Sequence, residues 1–326
     1  MNSSVPLVSI VISSYNSGSF IIETLDSIYN QTWSDLELII TDDCSSDDTV
    51  LKASGWLKFN QKRFLRSLII TSDTNTGVSS NANRGLRAAK GPWIKFLGAD
   101  DALKTDCIEK NMSFISNREE TKVLFSGIEV YNETFETNNL IKVIPGNPFS
   151  PKSIFSDNRT ALSQYKMLLV QDRIHFSPSA FIRKSVLTEC GGFDENFKLL
   201  EDYPLWVKIT KAGHRLSFMN EITVLYRMHS NALNNITGEK LVKQSYFAGE
   251  EFRKKYTYPF LPLDVKCNQR YTWLVCQIFR FGNLNFRNRF SVLLYNILLE
   301  FINPFRYIIW LRRSLKPELA NDEFYS

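Results

Sequence analysis

Cysteine, histidine and glycine-rich turns are all scarce in this chain. Five cysteines (Cys44, Cys107, Cys190, Cys267 and Cys276) are scattered over 326 residues. Their number is odd and no pair has C-x-x-C spacing, which excludes a disulfide frame or a zinc knuckle and fits a reducing compartment. Gly18 is the only glycine before Gly55. The first apolar run therefore lacks the glycine-rich turn of a dinucleotide oxidoreductase. The opening residues Met1 to Pro6 lack the basic start, apolar centre and cleavage site of a signal peptide. With the cysteine pattern, this gives a cytoplasmic location as the expectation.

Acid is scarce in one place. Between Arg270 and Lys316 there are eight basic residues and a single acid, Glu300, a local charge of +7. The whole chain carries +5, so the remainder carries −2. A nucleic-acid binder spreads positive charge over its recognition surface; here the body has none to spread, and nucleic acid is excluded as a partner.

What is present is a repeated strand-then-polar-tip pattern. Val8 to Ile12 is a β-branched run that reads as a buried strand, and it ends in Ser13-Ser14-Tyr15-Asn16. Phe20 to Tyr29 has helical spacing, with Ile21, Leu25 and Ile28 on one face. Leu36 to Ile40 is a second strand ending in Thr41-Asp42-Asp43-Cys44-Ser45-Ser46. A helix from about Asp48 to Phe59, a strand Ser67 to Thr71, a loop and helix over Gly77 to Lys90, and a strand Trp93 to Leu97 follow. The last of these ends in Gly98-Ala99-Asp100-Asp101. Alternation of this kind predicts a parallel α/β sheet, and such sheets bind ligands at the carboxyl ends of their strands. Three polar tips should thus converge on one site.

Beyond Asn111 the reading changes. Val123 to Gly127 and Ile128 to Tyr131 are strand material, Asn132 to Asn158 reads as loop, and Phe176 to Arg183 and Ile222 to Arg227 read as strands. Leu205 to Ala212 reads as a helix. An acid pair, Glu201-Asp202, precedes it. One acid pair can hold a divalent metal on a phosphate while the other supplies a base, the division of labour that group transfer from an activated phosphate requires. From about Asn235 the pattern is mostly helical. The expected domains are residues 1–235, catalytic, and 236–326, a helical extension. Within the extension, Phe290 to Arg313 is rich in aromatics and flanked by arginines, but Glu300, Asn303-Pro304 and Arg306 interrupt it. Two readings stand: a helix lying in the membrane interface, or one packed on the body.

Taken in order, five motifs resemble those of the family-2 inverting glycosyltransferases over residues 5 to 230. They are Val8 to Asn16, Ile39 to Thr49, Phe96 to Asp101, Gly191-Gly192-Phe193-Asp194-Glu195, and Glu201-Asp202. The resemblance implies the GT-A nucleotide-diphospho-sugar transferase fold, a mixed, mostly parallel sheet between helices, here with a helical C-terminal extension. It implies that Ser13, Tyr15, Asp42 and Asp43 hold the nucleoside of a nucleotide sugar, most simply UDP-linked. An aromatic face would stack on the base and a carboxylate would accept from the uracil N–H. The alternative for both aspartates is a helix cap. Asn83 fits the loop motif before the fourth strand and is implied to be a nucleotide-binding residue; the arginine that many relatives carry just before it is Ala82 here, with Arg84 nearby.

The resemblance further implies a divalent manganese or magnesium ion at Asp100, with Asp101 compensating for a missing first acid at Gly98, and with His229 meeting the metal or diphosphate. Asp202 is the implied general base and Glu201 the fallback, against the plainer reading of a helix-start acid pair. His175 and His214 match nothing, and Phe193 and Trp206 read as core. The implied acceptor is a glycan or a polyprenyl-diphosphate-linked sugar, in bacterial surface polysaccharide synthesis on the inner face of the cell membrane. The rivals are a non-catalytic sugar-nucleotide or glycan binder and a metal-dependent phosphohydrolase.

Overall fold

The computed structural model describes residues 5–197, 200–229, 240–242, 244–316, 318–319 and 322–325. The chain divides into two compact units, one of residues 1–162 and 174–229 and the other of 163–173 and 230–326. The boundary expected at residue 235 falls outside the described residues.

The first unit opens with the expected alternation: β1 (Val8–Ser14), α1 (Ile21–Tyr29), β2 (Leu36–Asp42), α2 (Thr49–Asn60), β3 (Arg66–Thr71), α3 (Val78–Ala88) and β4 (Trp93–Gly98). β5 (Ala102–Leu103), α4 (Cys107–Ser116), β6 (Val123–Asn132), β7 (Leu140–Ile144), α5 (Ala161–Val170, which from Ser163 on belongs to the second unit), β8 (Phe181–Arg183), α6 (Lys184–Glu189), α7 (Asp202–Lys211) and β9 (Leu216–Met228) follow. The sheet order is β3-β2-β1-β4-β8-β6-β9-β5, with β7 beside β6. β1 pairs in parallel with β2 and β4, and β2 with β3. β8 runs antiparallel between β4 and β6, and β9 runs parallel to β6. The sheet is therefore mixed and mostly parallel along its first half.

Burial explains the strand runs. Val8, Ile10, Val11, Ile12, Leu36, Leu38 and Ile39 are wholly inaccessible, as continuous apolar strands covered on both faces should be. The α1 residues Ile21, Leu25 and Ile28 are buried on the predicted face. A second core forms where Trp206 of α7 meets Phe125 of β6 at 4.9 Å, with Phe155, Phe176 and Phe218 around it. Phe193 and Trp206 are core, as read.

Three element readings need correction. Residues 132–158 are not all loop: β7 pairs antiparallel with β6. Its residues Leu140 to Val143 are exposed, and an edge strand open to solvent leaves no alternating burial signal to read. The strand expected over Phe176 to Arg183 shrinks to its last three residues. Pro178 has no N–H for a ladder, and Ser177–Ser179 is a 3₁₀ turn instead. α7 begins at Asp202 rather than Leu205; Pro204 lies in its first turn, where an N–H has no intrahelical acceptor.

The second unit holds α8 (Gln244–Phe252), α9 (Leu263–Phe281), α10 (Arg289–Asn296) and α11 (Pro304–Leu315), the helical extension that was expected.

α3 lies tight against β1 at Gly85. A Cβ built on Gly85 would lie 2.2 Å from Val11 Cγ1. Gly85→Ala should therefore overpack this contact and cost about 1–3 kcal/mol of unfolding free energy, measured by urea denaturation; an unchanged midpoint would show that α3 can lift off the sheet.

Candidate active site at the strand tips

The parallel register aligns the polar tips. Ser13 stands opposite Thr41 on one side and Gly98 on the other, and Ser14 opposite Asp42. Backbone bonds continue the match past the strands. Asp43 N–H donates to Ser14 O at 3.0 Å and Ala99 N–H to Ser13 O at 3.2 Å. Just beyond, the Tyr15 side chain is 49% exposed, an aromatic face open to solvent at the tip.

The two aspartates after β2 are engaged differently. Asp42 accepts from Ser14 Oγ at 2.9 Å, Ser45 N–H at 2.8 Å and Ser45 Oγ at 2.5 Å, locking the turn to β1. Asp43 reaches the other way. It accepts from Thr76 Oγ1 at 2.6 Å, Thr76 N–H at 2.9 Å, Gly77 N–H at 2.7 Å and Arg84 Nη2 at 3.2 Å. Burial pushes the Asp43 carboxyl up, but these four donors outweigh it and hold the group below its ordinary value. Neither aspartate caps the helix that follows, since α2 begins at Thr49 without a side-chain cap bond.

α3 links this edge to the distant glycine pair. Its Asn81 donates to Ser14 O at 3.2 Å and Thr41 O at 3.1 Å. Arg84 bonds Asn81, Thr76 and Asp43, so it is tied into the loop. Asn83 is turned to the opposite side. Its amide donates to Phe193 O at 2.9 Å and Glu195 Oε1 at 2.8 Å, and its oxygen accepts Phe193 N–H at 2.9 Å. Ser80 donates to Glu195 Oε2 at 2.8 Å and Ser79 to Phe197 O at 3.2 Å. The helix thus holds a tip loop with one set of side chains and the 193–197 turn with another.

At the β4 tip, Gly98 has a geometric role. A Cβ there would sit 2.5 Å from Asp100 Oδ1 and 3.4 Å from Asp101 Oδ2. Without one, Asp100 folds back over the strand end, and its Oδ2 meets His229 Nε2 at 3.0 Å. Asp101 turns inward. It is buried and accepts Arg227 N–H at 3.0 Å. Burial, then the Asp100 charge, push its carboxyl well above the usual carboxylate range, against the opposing pull of Arg227 and Lys95. Lys95 lies wholly buried on β4, its Nζ without a hydrogen-bond partner among the described residues, and burial lowers its pKa.

Arg227 and Thr24 hold this turn, and neither was given a role from the sequence, although Arg227 lies two residues before His229. Arg227 is buried, donates from Nε to Asp100 O at 2.8 Å, and pairs with Glu23 and the Glu133 carbonyl. Its guanidinium lies over the Phe20 and Phe135 rings at 4.9 and 3.9 Å. Thr24 Oγ1 lies 2.9 Å from Ala99 O and 2.7 Å from Asp101 O.

Among the described residues, no group of three or more His, Cys, Asp and Glu side chains stands together as a metal site. The donor pair that does converge is one carboxylate and one imidazole, Asp100 and His229. It would suit a magnesium or manganese ion that took its remaining ligands from substrate oxygens and water. Asp101 backs the turn from inside.

The acid pair sits at the start of α7, where a negative charge is favoured by the helix dipole. Ser177 donates its hydroxyl to Asp202 Oδ2, and Tyr203 N–H donates to Asp202 Oδ1 at 2.7 Å. Glu201 is the preceding, half-buried residue. His214 pairs with Glu189 at 2.9 Å, away from these groups in the chain and the bonding network.

Residues 9–191 match the sequence profile of the family described as Glycosyl transferase family 2, and the chain belongs to that family. It is a glycosyltransferase with the GT-A fold. One relative, the UDP-Glc:alpha-D-GlcNAc-diphosphoundecaprenol beta-1,3-glucosyltransferase WfaP of Escherichia coli, is 30% identical over 73% of this chain and 84% of its own. Among solved structures, S. aureus TarS 1-349 in complex with UDP-GlcNAc aligns over 84% of this chain and 73% of that one, with TM-score 0.55 and 19% identity. Another solved form of TarS is matched over only 44% of its length. A mannosyltransferase of Pyrobaculum calidifontis in complex with GDP-Man and Mn2+ aligns over 98% and 79%, with TM-score 0.51 and 16% identity.

Two outcomes follow from the bonding. Asn83→Ala should strand the buried Phe193 amide and cost about 1–3 kcal/mol; it should also lower turnover more than nucleotide affinity, read by denaturation and by calorimetric UDP titration. Asp43 is held below its ordinary pKa, so its contribution to stability is complete above the unfolded value of about 4 and is lost as pH falls through the lower folded value. The stability gap between the parent chain and Asp43→Asn should accordingly be widest above about pH 4 and narrow in more acidic urea titrations.

Proposed function

We propose that this chain is an inverting glycosyltransferase that moves a sugar from a nucleotide-diphospho-sugar, UDP-linked, onto a glycan or a polyprenyl-diphosphate-linked sugar. The observation that carries the reading is the Asp100–His229 pair, 3.0 Å apart at the tip of β4, in the strand-paired edge that also presents the exposed Tyr15. A diphosphate needs its charge met where a strand end is open, and this is such a place. The WfaP name supplies a UDP-sugar donor and an undecaprenyl-linked acceptor, and the P. calidifontis structure contains Mn2+. The first lends support as a relative at 30% identity, the second only through a shared fold.

The roles then distribute as follows. Tyr15 offers its ring to the base, and Ser13 and the Asp42–Asp43 turn shape the nucleoside end. Asp43 and Arg84 hold the Thr76–Gly77 loop that closes this end, while Asn83 acts through the 193–195 turn. A magnesium or manganese ion held by Asp100 and His229 would neutralise charge on the departing diphosphate. Asp202 removes the acceptor hydroxyl proton as that oxygen attacks C1 of the sugar. The C1–oxygen bond to the diphosphate breaks, UDP leaves with the electron pair, and the configuration at C1 inverts. Ser177 orients the Asp202 carboxylate from behind, and Glu201 lies beside it. An α-linked donor yields a β-linked product. The membrane face of a cytoplasmic compartment is where such an acceptor would be met.

A second reading has one observation in its favour. Gly98 stands where the family motif has an acid, and a non-catalytic member that only binds sugar nucleotide or glycan would tolerate that. Transfer assays with UDP-sugars, manganese and a lipid-linked acceptor separate the two. Asp202→Asn should reduce transfer by about 10³-fold or more while UDP binding stays unchanged. Normal transfer by that variant would remove Asp202 from the base role; UDP release that needs no acceptor would favour a phosphohydrolase.

A further inference from the structure

The second unit carries an exposed surface that the proposed chemistry does not use. Residues Arg289–Leu315 are long and apolar enough to cross a bilayer by length and composition, yet only 6% of the most apolar window is buried. The structure does not build them as one helix. α10 runs through a π turn, Ile297–Phe301, and the chain breaks before α11. Asn303 makes the break. It is buried, accepts Phe305 N–H at 3.1 Å as the α11 cap, and donates its amide to Asn268 Oδ1 of α9 at 2.7 Å.

α11 is fastened to α9 at both ends. Near its start, the Phe305 ring meets Tyr271 at 6.3 Å. Near its end, Arg312 pairs with Asp264 at 2.8 Å. Asp264 is buried in the first turn of α9 and also accepts from the Tyr325 hydroxyl at 3.1 and 3.2 Å. Contacts run from Asn268 and Tyr271 back to Asp264 as α11 advances, so the two helices are antiparallel. Phe305, Ile309 and Arg312 form the inward stripe at helical spacing. A bilayer-crossing α11 would have to break the Asp264 pair and the Asn303 bonds and carry those polar groups into hydrocarbon.

The outward side sorts by chemistry. Tyr307, Ile308, Leu311 and Leu315 form an exposed apolar stripe. Arg306, which pairs with the exposed Glu300, and Arg313, seven residues on, line the opposite edge, and exposed Trp310 lies between. An apolar stripe, a basic edge and a tryptophan at the boundary complement the acyl layer, phosphates and headgroup zone of an anionic bilayer surface. The stretch from Arg270 to Lys316, at +7, strengthens that match.

We propose that α11 is a monotopic seat for an anionic phospholipid surface, held flat by the Asp264–Arg312–Tyr325 clasp, and that the 289–315 stretch does not cross the bilayer. Its purpose, bringing the chain to a lipid-linked acceptor, rests on the function proposed above; the binding itself does not.

The test uses the full chain with vesicles of phosphatidylcholine alone or mixed with phosphatidylglycerol. Co-sedimentation should be strong only with the anionic mixture and should fall with salt. Leu311→Glu should abolish it, and Arg306→Glu with Arg313→Glu should reduce partitioning by about tenfold or more. Brominated lipids should quench the Trp310 signal, isolated by comparison with Trp310→Phe, more from shallow than from deep positions. Equal binding to neutral vesicles, stronger quenching from deep bromines, or a stable dimer by light scattering that leaves vesicles unbound would each overturn the proposal. Calorimetric UDP binding by the parent chain separates the two readings. A parent chain that binds UDP and transfers to a soluble acceptor but does not bind vesicles removes the seat alone; a parent chain that binds vesicles without transfer removes the proposed function alone.

Discussion

The strand-tip edge depends on one constraint, the parallel register of β2, β1 and β4. Because Ser13 is opposite both Thr41 and Gly98, three chain segments distant in sequence must end at the same level. A one-residue slip of β4 would turn its buried side chains to the other face of the sheet and move the Asp100 turn away from His229. The wholly buried strands that fix this register, Val8 to Ile12 and Leu36 to Ile39, are therefore as necessary to the site as its carboxylates.

Given that register, polar side chains finish the edge. Asp42 closes one turn onto β1, Asp43 draws in the Thr76–Gly77 loop, and Arg227 with Thr24 holds the β4 turn from beneath. α3 then passes the placement on to the 193–197 turn, a few residues before Asp202. Gly98 belongs to the same scheme: the absent side chain is the space into which Asp100 folds. A residue that looks like a loss in the motif leaves, in three dimensions, the space that the Asp100 carboxylate occupies beside His229.

Much of this was legible in the sequence, and what was not has physical causes. Buried β-branched runs and their polar tips reveal the first four strands directly, because continuous apolar strands need cover on both faces. β7 hid because an exposed edge strand shows no alternation. Pro178 cut a strand that its apolar neighbours suggested. The tasks of Asn83, Arg227 and Thr24 were not readable because their partners lie 110, 127 and 75–77 positions away in the chain, and nothing local encodes them. Asp100, Asp202 and His229 were visible as chemistry-bearing groups from motif order, but the inward turn of Asp101 required the fold.

The chemistry proposed for this edge is a single displacement at C1 of a nucleotide sugar. Proton NMR of the product formed from an α-linked UDP-sugar and a polyprenyl-diphosphate-linked acceptor tests it most directly. The account predicts the large anomeric coupling of a β-linked product at the earliest time point; an α-linked product would contradict it.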